Sequence, residues 1–324
     1  MQYTRRDIAK LGLAAGAASS LLAKPNSVFG GVQIGAITYS FRALPGSAEE
    51  TLGYLTDCGI GAIELMSNVA ESYSGAPAMP GRPAGPGGPG GGRQQMTPEQ
   101  QAAMKKAAAD TKQWRLSVSM DKYKALRKMY ADAGVKIYAF KLPPTMGMSD
   151  EEYAYIWNAA EALGANHVTM ELPADDALLQ RVAAYAATRK LRIAFHTHGQ
   201  GGESGFDKAL GASAFTALNL DVGHYYGVNG KSPVPVIRKY HDRIASLHLK
   251  DRKGPGGDTK GPGGGGANMP WGQGETPLKD ILQLLKKEKY KIPASIEYEY
   301  NTPEGSSVIA EVKKCVQYCK DALK

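Results

Sequence analysis

A chain of 324 residues with 43% hydrophobic and 22% charged residues can bury a sizeable core in one large domain or two small ones. Its net charge of +8 comes from Lys and Arg scattered along the chain, with no dense basic run. The charge therefore reads as solvated surface and argues against a nucleic-acid footprint. Three cysteines, Cys58, Cys315 and Cys319, are too few for a disulfide framework and are expected to be buried or idle thiols.

The N-terminus differs in character from the rest of the chain. Thr4-Arg5-Arg6-Asp7-Ile8-Ala9-Lys10 precedes an apolar, Ala-rich run from Leu11 to Ala23. That is the form of a twin-arginine export signal, which predicts a periplasmic or otherwise exported bacterial protein. Residues 1–30 are assigned to signal and linker, and residues 31–324 to the folded domain. The apolar run is too short to cross a bilayer comfortably, so no stable membrane anchor is expected.

From Val32 the chain alternates strand-like and helix-like segments. The first strand is VQIGAITYSF, followed by Ser47-Ala48-Glu49-Glu50, a capping box that opens a helix ending near Gly59. GAIELM is the second strand. A Pro/Gly-rich insert near 74–95 comes next, and Thr97-Pro98-Glu99-Gln100 restarts a helix. A helix from about Met120 to Ala133 stops at Gly134, before the third strand, VKIYAFKLPP. Ser149 starts the next helix, which ends at Gly164 before the fourth strand, NHVTMELP. A helix over about Asp176–Arg189 leads to the fifth strand, LRIAFHTHG. FTALNLDVGH is the sixth strand, and a helical segment near Pro235–Tyr240 leads to the seventh, RIASLHLKDR. A second Gly-rich insert near 253–274, a helix from Thr276 to Lys287, the eighth strand PASIEYEY and a helix over Ser306–Leu323 complete the chain.

Eight strands alternating with helices imply parallel pairing through right-handed crossovers. The length fits a (β/α)8 TIM barrel. A doubly wound open sheet would want a Gly-rich turn after the first strand, and Tyr39-Ser40-Phe41-Arg42 is not one. In a barrel the C-terminal strand ends converge on one face. Here they carry Tyr39, Glu64, Lys141, Glu171, His196, Asp221, His248 and Glu297. So many ionisable groups are costly to bury unless paired or bound to a cation. The mixed carboxylate and imidazole set suits a divalent metal such as Mn, Co, Mg or Zn, in an open site rather than a closed structural zinc site.

The motifs LNLDVGH, SLHLKD and WGQGETPLKDILQLLKKEKYKIPASIEYEY resemble those of the xylose-isomerase-like barrels of the sugar phosphate isomerase and epimerase superfamily, over roughly Val32 to the C-terminus. The resemblance implies a divalent metal held by the ends of the fifth to eighth strands, at His196, Asp221, His248 and Glu297. It places His224, three residues after Asp221, and His198 facing substrate. Relatives carry a Glu where this chain has His196, and a metal-bound imidazole does not inherit that carboxylate's proton-transfer role. Glu171 on the neighbouring strand is the candidate replacement.

Glu297 and Glu171 are accordingly the expected catalytic carboxylates. His198, His224, Glu64, Lys141 and Lys250 are the expected substrate-binding residues. The bland alternatives are specific: Asp221 and His224 as turn caps, His248 as a packed histidine, Glu297 in an ion pair with Lys250, and Glu64 paired with Lys141. His167 and His241 are expected to be structural. The resemblance implies metal-dependent isomerisation or epimerisation of a free sugar through an enediolate. A lyase or hydratase acting on 3-keto-glycosides, or a non-catalytic sugar-binding barrel, are the alternatives. Endonuclease IV shares the fold group, but Glu64 and Lys141 stand where its extra histidines would be needed. A small carbohydrate is the expected partner, and a homo-oligomer is possible on these grounds.

Overall fold

The structure, a computed structural model, describes residues 24–80, 96–198, 202–256 and 265–324. The twin-arginine stretch, Gly199, most of the first Gly-rich insert and part of the second lie outside the described residues.

Eight parallel strands form the barrel: β1 (Val32–Ile37), β2 (Ala62–Met66), β3 (Lys136–Lys141), β4 (His167–Glu171), β5 (Arg192–His196), β6 (Thr216–Asp221), β7 (Ile244–Leu249) and β8 (Ala294–Ile296). Each pairs with its sequence neighbour. β1 pairs on one side with β2, Ala36 opposite Ile63, and on the other with β8, Ile34 opposite Ala294, which closes the ring. The (β/α)8 expectation is borne out, and the open-sheet alternative is excluded by that closure.

The surrounding helices are α1 (Ala48–Asp57), α2 (Ser67–Tyr73), α3 (Pro98–Ser117), α4 (Asp121–Asp132), α5 (Asp150–Leu163), α6 (Asp176–Arg189), α7 (Gly202–Gly211), α8 (Val222–Asn229), α9 (Val234–Tyr240), α10 (Leu278–Glu288) and α11 (Val308–Ala322). Local chemistry explains their starts. Ser47, Thr97 and Ser149 each accept the N–H three residues on, while Glu50, Gln100 and Glu152 return the bond, so three reciprocal caps satisfy first-turn donors. α10 buries Leu278, Ile281, Leu282 and Leu285, one stripe at helical spacing. Each such side chain contributes roughly 1.5–3 kcal/mol on burial, so the stripe outweighs the lysines of the same helix in fixing its orientation.

Three local expectations are corrected, and one helix is added. Val28–Phe29, assigned to the linker, pairs antiparallel with Gln33 and Val32 and belongs to the fold. The sixth strand ends at Asp221 as expected, and VGHYYGVN follows it directly as α8, a helix the sequence reading did not place. The eighth strand is short, so Glu297 lies just past its end. Within the second Gly-rich insert, Asn268–Met269 pairs with Asp251–Arg252 just beyond β7, so that insert is not wholly without structure. All three cysteines are free and buried, as expected.

Candidate metal centre

Alternation along each strand sends every second side chain into the barrel. Glu64 from β2, His196 from β5, Asp221 from β6 and His248 from β7 are all at most 2% exposed, and Glu297 after β8 is 6% exposed. His196, Asp221, His248 and Glu297 each offer a ligand atom, and these atoms all lie within 4.8 Å of one another. The four ligands expected from the sequence are therefore brought together.

Four strand ends place them, and the turns beyond those ends hold them. Asp221 Oδ1 accepts the N–H of His224 at 2.7 Å and so caps α8, as the bland alternative expected, while Oδ2 remains for other work. Gly223, between them, is required by space: a Cβ there would stand 2.2 Å from Lys250 Cγ and 2.5 Å from its carbonyl oxygen. That crowding explains the glycine of DVGH. Beyond β7, Asp251 accepts N–H groups from Gly272, Gly274 and Thr276 at 2.8–3.1 Å. A Cβ on Gly274 would lie 2.1 Å from its carboxylate, which explains the second glycine of WGQGE.

Charge inside the mouth is unevenly balanced. Lys250 Nζ lies 3.0 Å from both Asp221 Oδ2 and Glu297 Oε2 and 2.6 Å from Glu299 Oε2. The Glu297–Lys250 ion pair expected as a bland alternative is thus present, inside the same cluster. Yet Asp221 Oδ2 is buried and accepts no well-directed hydrogen bond, although Lys250 is close. Burial raises the Asp221 carboxyl to about 6, against the pull of Lys250. Burial acts against ionisation of Glu297 too, but Lys250 and His248 overcome it and hold that carboxyl well below its usual range.

An orphaned, buried carboxylate oxygen beside two imidazoles and a second carboxylate is the chemistry of a divalent-cation site, so these residues fit one. His196, His198 and His224 also come within 4.8 Å of one another. Arg252 makes a short contact from Nη1 to His224 Nδ1. The guanidinium can only donate, so Nδ1 accepts and the imidazole proton sits on Nε2. Both nitrogens of His224 are then unavailable as ligands, which favours the four-residue group. Burial, with Lys250 and Arg252 nearby, drives the His224 imidazole far below its usual range and keeps it neutral.

The remaining candidates separate into two places. Lys141 Nζ donates to Glu171 Oε1 at 2.9 Å, and His198 Nε2 lies 3.0 Å from Glu171 Oε2, which puts all three together at the rim. The His198 ring stacks on His224 at 4.4 Å and meets His196 edge-on at 4.6 Å, linking that rim to the ligand group. Glu64, expected at the substrate face, is instead fully buried and accepts from Thr169, Asn219 and His248. No ion pair joins it to Lys141 among the described residues, because Lys141 is engaged by Glu171. Tyr39 lies in a turn of 3-10 helix, 37% exposed beneath Arg42, rather than in the cluster. His167 is buried against Ser246, and His241 stacks on Tyr290 at the surface, both structural as expected.

Residues that sequence reasoning missed are Thr169, Asn219, Ser246, Arg252 and Glu299. The signal was present: Thr169, Asn219 and Ser246 each sit two positions before a strand-end candidate, hence on the same inward face.

The sequence pattern of the xylose isomerase-like TIM barrel family matches residues 101–319. The chain belongs to that family. Inosose dehydratase of Clostridium botulinum is 27% identical over 157 residues, 44% of this chain and 52% of that protein, so the match spans about half the length of that relative. Among solved structures, a probable 3-DHS dehydratase from Bacillus anthracis is similar at a TM-score of 0.59, with 12% identity over 88% of this chain and 98% of that one. D-psicose 3-epimerase from Clostridium cellulolyticum is similar at a TM-score of 0.54, with 10% identity over 90% of this chain and 100% of that one. At such identities the structural likeness carries the fold alone. No described helix is long and apolar enough to cross a membrane.

Proposed function

We propose that this protein enolises a small carbohydrate bearing a carbonyl next to a hydroxyl, and so isomerises or epimerises it. The observation that carries this reading is the buried group His196, Asp221, His248 and Glu297 at the C-terminal barrel face. These four would hold a divalent cation, Mn, Co, Mg or Zn. Such an ion, when bound, polarises a carbonyl and acidifies the neighbouring C–H.

The chain's own groups divide the remaining work. The His248 and Lys250 contacts to Glu297 both fall on Oε2, which leaves Oε1 as the oxygen to take the substrate proton. Lys250 keeps that carboxylate ionised before the reaction. His224, neutral with its proton on Nε2, donates a hydrogen bond to a substrate oxygen. At the rim, Glu171 is held between Lys141 and His198, so a proton can reach the opposite side of the substrate through a cation or an imidazole as well as through a carboxylate.

That rim favours a second reading, elimination. Glu171 lies far below its usual range: burial opposes this, but the His198 hydrogen bond and the neighbouring cations win, so it stays a carboxylate. Lys141 and His198 beside it are suited to protonate a departing hydroxyl or alkoxide from the β-carbon. A dehydratase among the relatives and a histidine at position 196, in place of the family's carboxylate, support the same course.

We also propose export, supported by the twin-arginine pattern of residues 4–10; export favours a free sugar or glycoside over a phosphorylated one. The deciding experiment is incubation of metal-loaded protein with ketoses and with 3-ketoglycosides in deuterated water. Exchange with a new stereoisomer or positional isomer supports the first reading; exchange with loss of a β-substituent supports the second. No exchange with either class sinks both.

A further inference from the structure

The buried carboxylate of Glu64 lies outside the four-ligand group, yet it touches a residue that orients each imidazole in it. Glu64 Oε2 accepts from Asn219 Nδ2 at 2.9 Å and faces His248 Nε2 at 2.7 Å, while Thr169 Oγ1 donates to Oε1 at 2.7 Å. An ionised carboxylate only accepts, so the atoms facing it are donors. Asn219 must then turn its NH2 toward Glu64 and its Oδ1 toward His196 Nδ1, 2.9 Å away. The same NH2 lies 2.9 Å from Ser246 Oγ, which agrees with that orientation.

Both imidazoles are thereby oriented. His196 carries its proton on Nδ1 and offers the Nε2 lone pair, the atom 3.8 Å from Asp221 Oδ2. His248 meets a carboxylate at each nitrogen, Glu64 at Nε2 and Glu297 Oε2 at Nδ1, both at 2.7 Å. Glu297 belongs to the four-residue group and Glu64 does not, so a bound cation would take the place of the Nδ1 proton and leave the Nε2 proton directed at Glu64. With a cation held, the two rings would present opposite nitrogens, Nε2 of His196 beside Asp221 and Nδ1 of His248 beside Glu297, while Glu64 anchors the far side of both.

We infer that Glu64, acting directly on His248 and through Asn219 on His196, is the positioning residue that selects the metal-binding nitrogens. The inference rests on the proposed cation site, not on the reaction assigned to it. Outer partners of this kind, when removed, weaken metal affinity by about 10–100-fold. The carboxylate is better suited than any apolar residue, because either ring left without its acceptor is free to adopt the wrong tautomer.

The test uses full-length protein labelled with 15N-histidine and loaded with Cd2+ or Zn2+. In the wild type the expected spectrum shows protonated Nδ1 and metal-coupled Nε2 at His196, and the reverse at His248. Chelator competition on Glu64→Leu should give metal binding weaker by about 10–100-fold. Glu64→Gln keeps an acceptor oxygen at the same place and should retain the wild-type nitrogen pattern. The reverse pattern in the wild type, failure of the wild type to bind either ion, or unchanged affinity in folded Glu64→Leu overturns the assignment. The wild-type spectrum needs no variant, so misfolding of Glu64→Leu does not block the test. The expected spectrum without any sugar exchange would sink the proposed reaction and leave this assignment standing.

Discussion

Two buried polar clusters in this molecule share their residue types and differ in how they are satisfied. Between the helices, Glu71 receives Arg115 in a two-pronged contact, Nε at 2.7 Å and Nη2 at 3.1 Å, and also the Tyr155 hydroxyl at 2.8 Å. One acid meets one base, and no side-chain atom of the three is left buried without a partner. In the barrel mouth, Asp221, Glu297 and Glu299 crowd around one lysine, and Asp221 Oδ2 goes without a proper donor. A structural cluster satisfies its own charges and hydrogen bonds; a binding site leaves some of them for the ligand. Burial alone does not distinguish the two.

The largest expected effect lies in the mouth. Glu297→Gln removes the proposed proton acceptor while keeping its shape. If Glu297 takes the proton, solvent exchange into a turned-over sugar should fall by about 10^2–10^4-fold. Exchange is measured by NMR in deuterated water with the metal supplied in excess, so that weakened binding does not pass for lost chemistry. A variant within about threefold of the wild type, far short of that loss, would move the base elsewhere, with Glu171 the next candidate.

The same operation between the helices should change stability and leave chemistry alone. Arg115→Met strands the Glu71 carboxylate, which is 8% exposed. Loss of one partner of a buried pair costs about 3–5 kcal/mol. Urea unfolding should show that loss, with turnover per folded molecule unchanged. Glu71→Gln combined with Arg115→Met removes both charges and should recover most of the difference. If the double variant is as unstable as the single one, packing rather than the stranded charge is responsible, and the contrast between the clusters weakens.

How much of this is legible in the sequence depends on what each residue's role requires. Strand ends show because a polar residue closes an apolar run, and Asp221, His248 and Glu297 stand out in that way. Capping boxes at Ser47, Thr97 and Ser149 are legible because both partners lie within four residues. α2, α7 and α8 escape sequence reasoning. α2 lacks a side-chain cap, α7 starts in a glycine-rich stretch, and α8 continues directly from a strand whose last residue is its cap. Glu64 is recognisable as a site candidate, but the sequence puts it at the substrate face, because its partners Thr169, Asn219 and His248 come from three distant strands. Sequence separations of 105 to 184 residues carry no local pattern; only the closed ring brings those side chains together.

His167 sharpens the contrast from inside the barrel, being buried and ionisable like His196 and His248 but held outside their cluster. Its Nε2 lies 3.1 Å from Ser246 Oγ, and its ring packs against Tyr138. Burial pushes its imidazole down to about 4; Glu64 pulls the other way, but Arg192 and His248 reinforce the drop. An unfolded histidine takes up its proton near pH 6.5, while the folded one resists until about 4. Between those values the unfolded chain binds more protons, so this contribution is whole above pH 6.5 and is lost progressively as pH falls toward 4. At about 1.36 kcal/mol per unit the loss amounts to roughly 3 kcal/mol. His167→Gln keeps a polar group for Ser246 and has no such proton to take up. The stability difference between wild type and variant, measured by urea unfolding from about pH 7 to about pH 4, should therefore shift toward the variant by about that amount. A difference that stays flat across the range would mean that His167 ionises in the folded protein as easily as in the unfolded one, and that the barrel interior beneath the mouth is wetter than its packing implies.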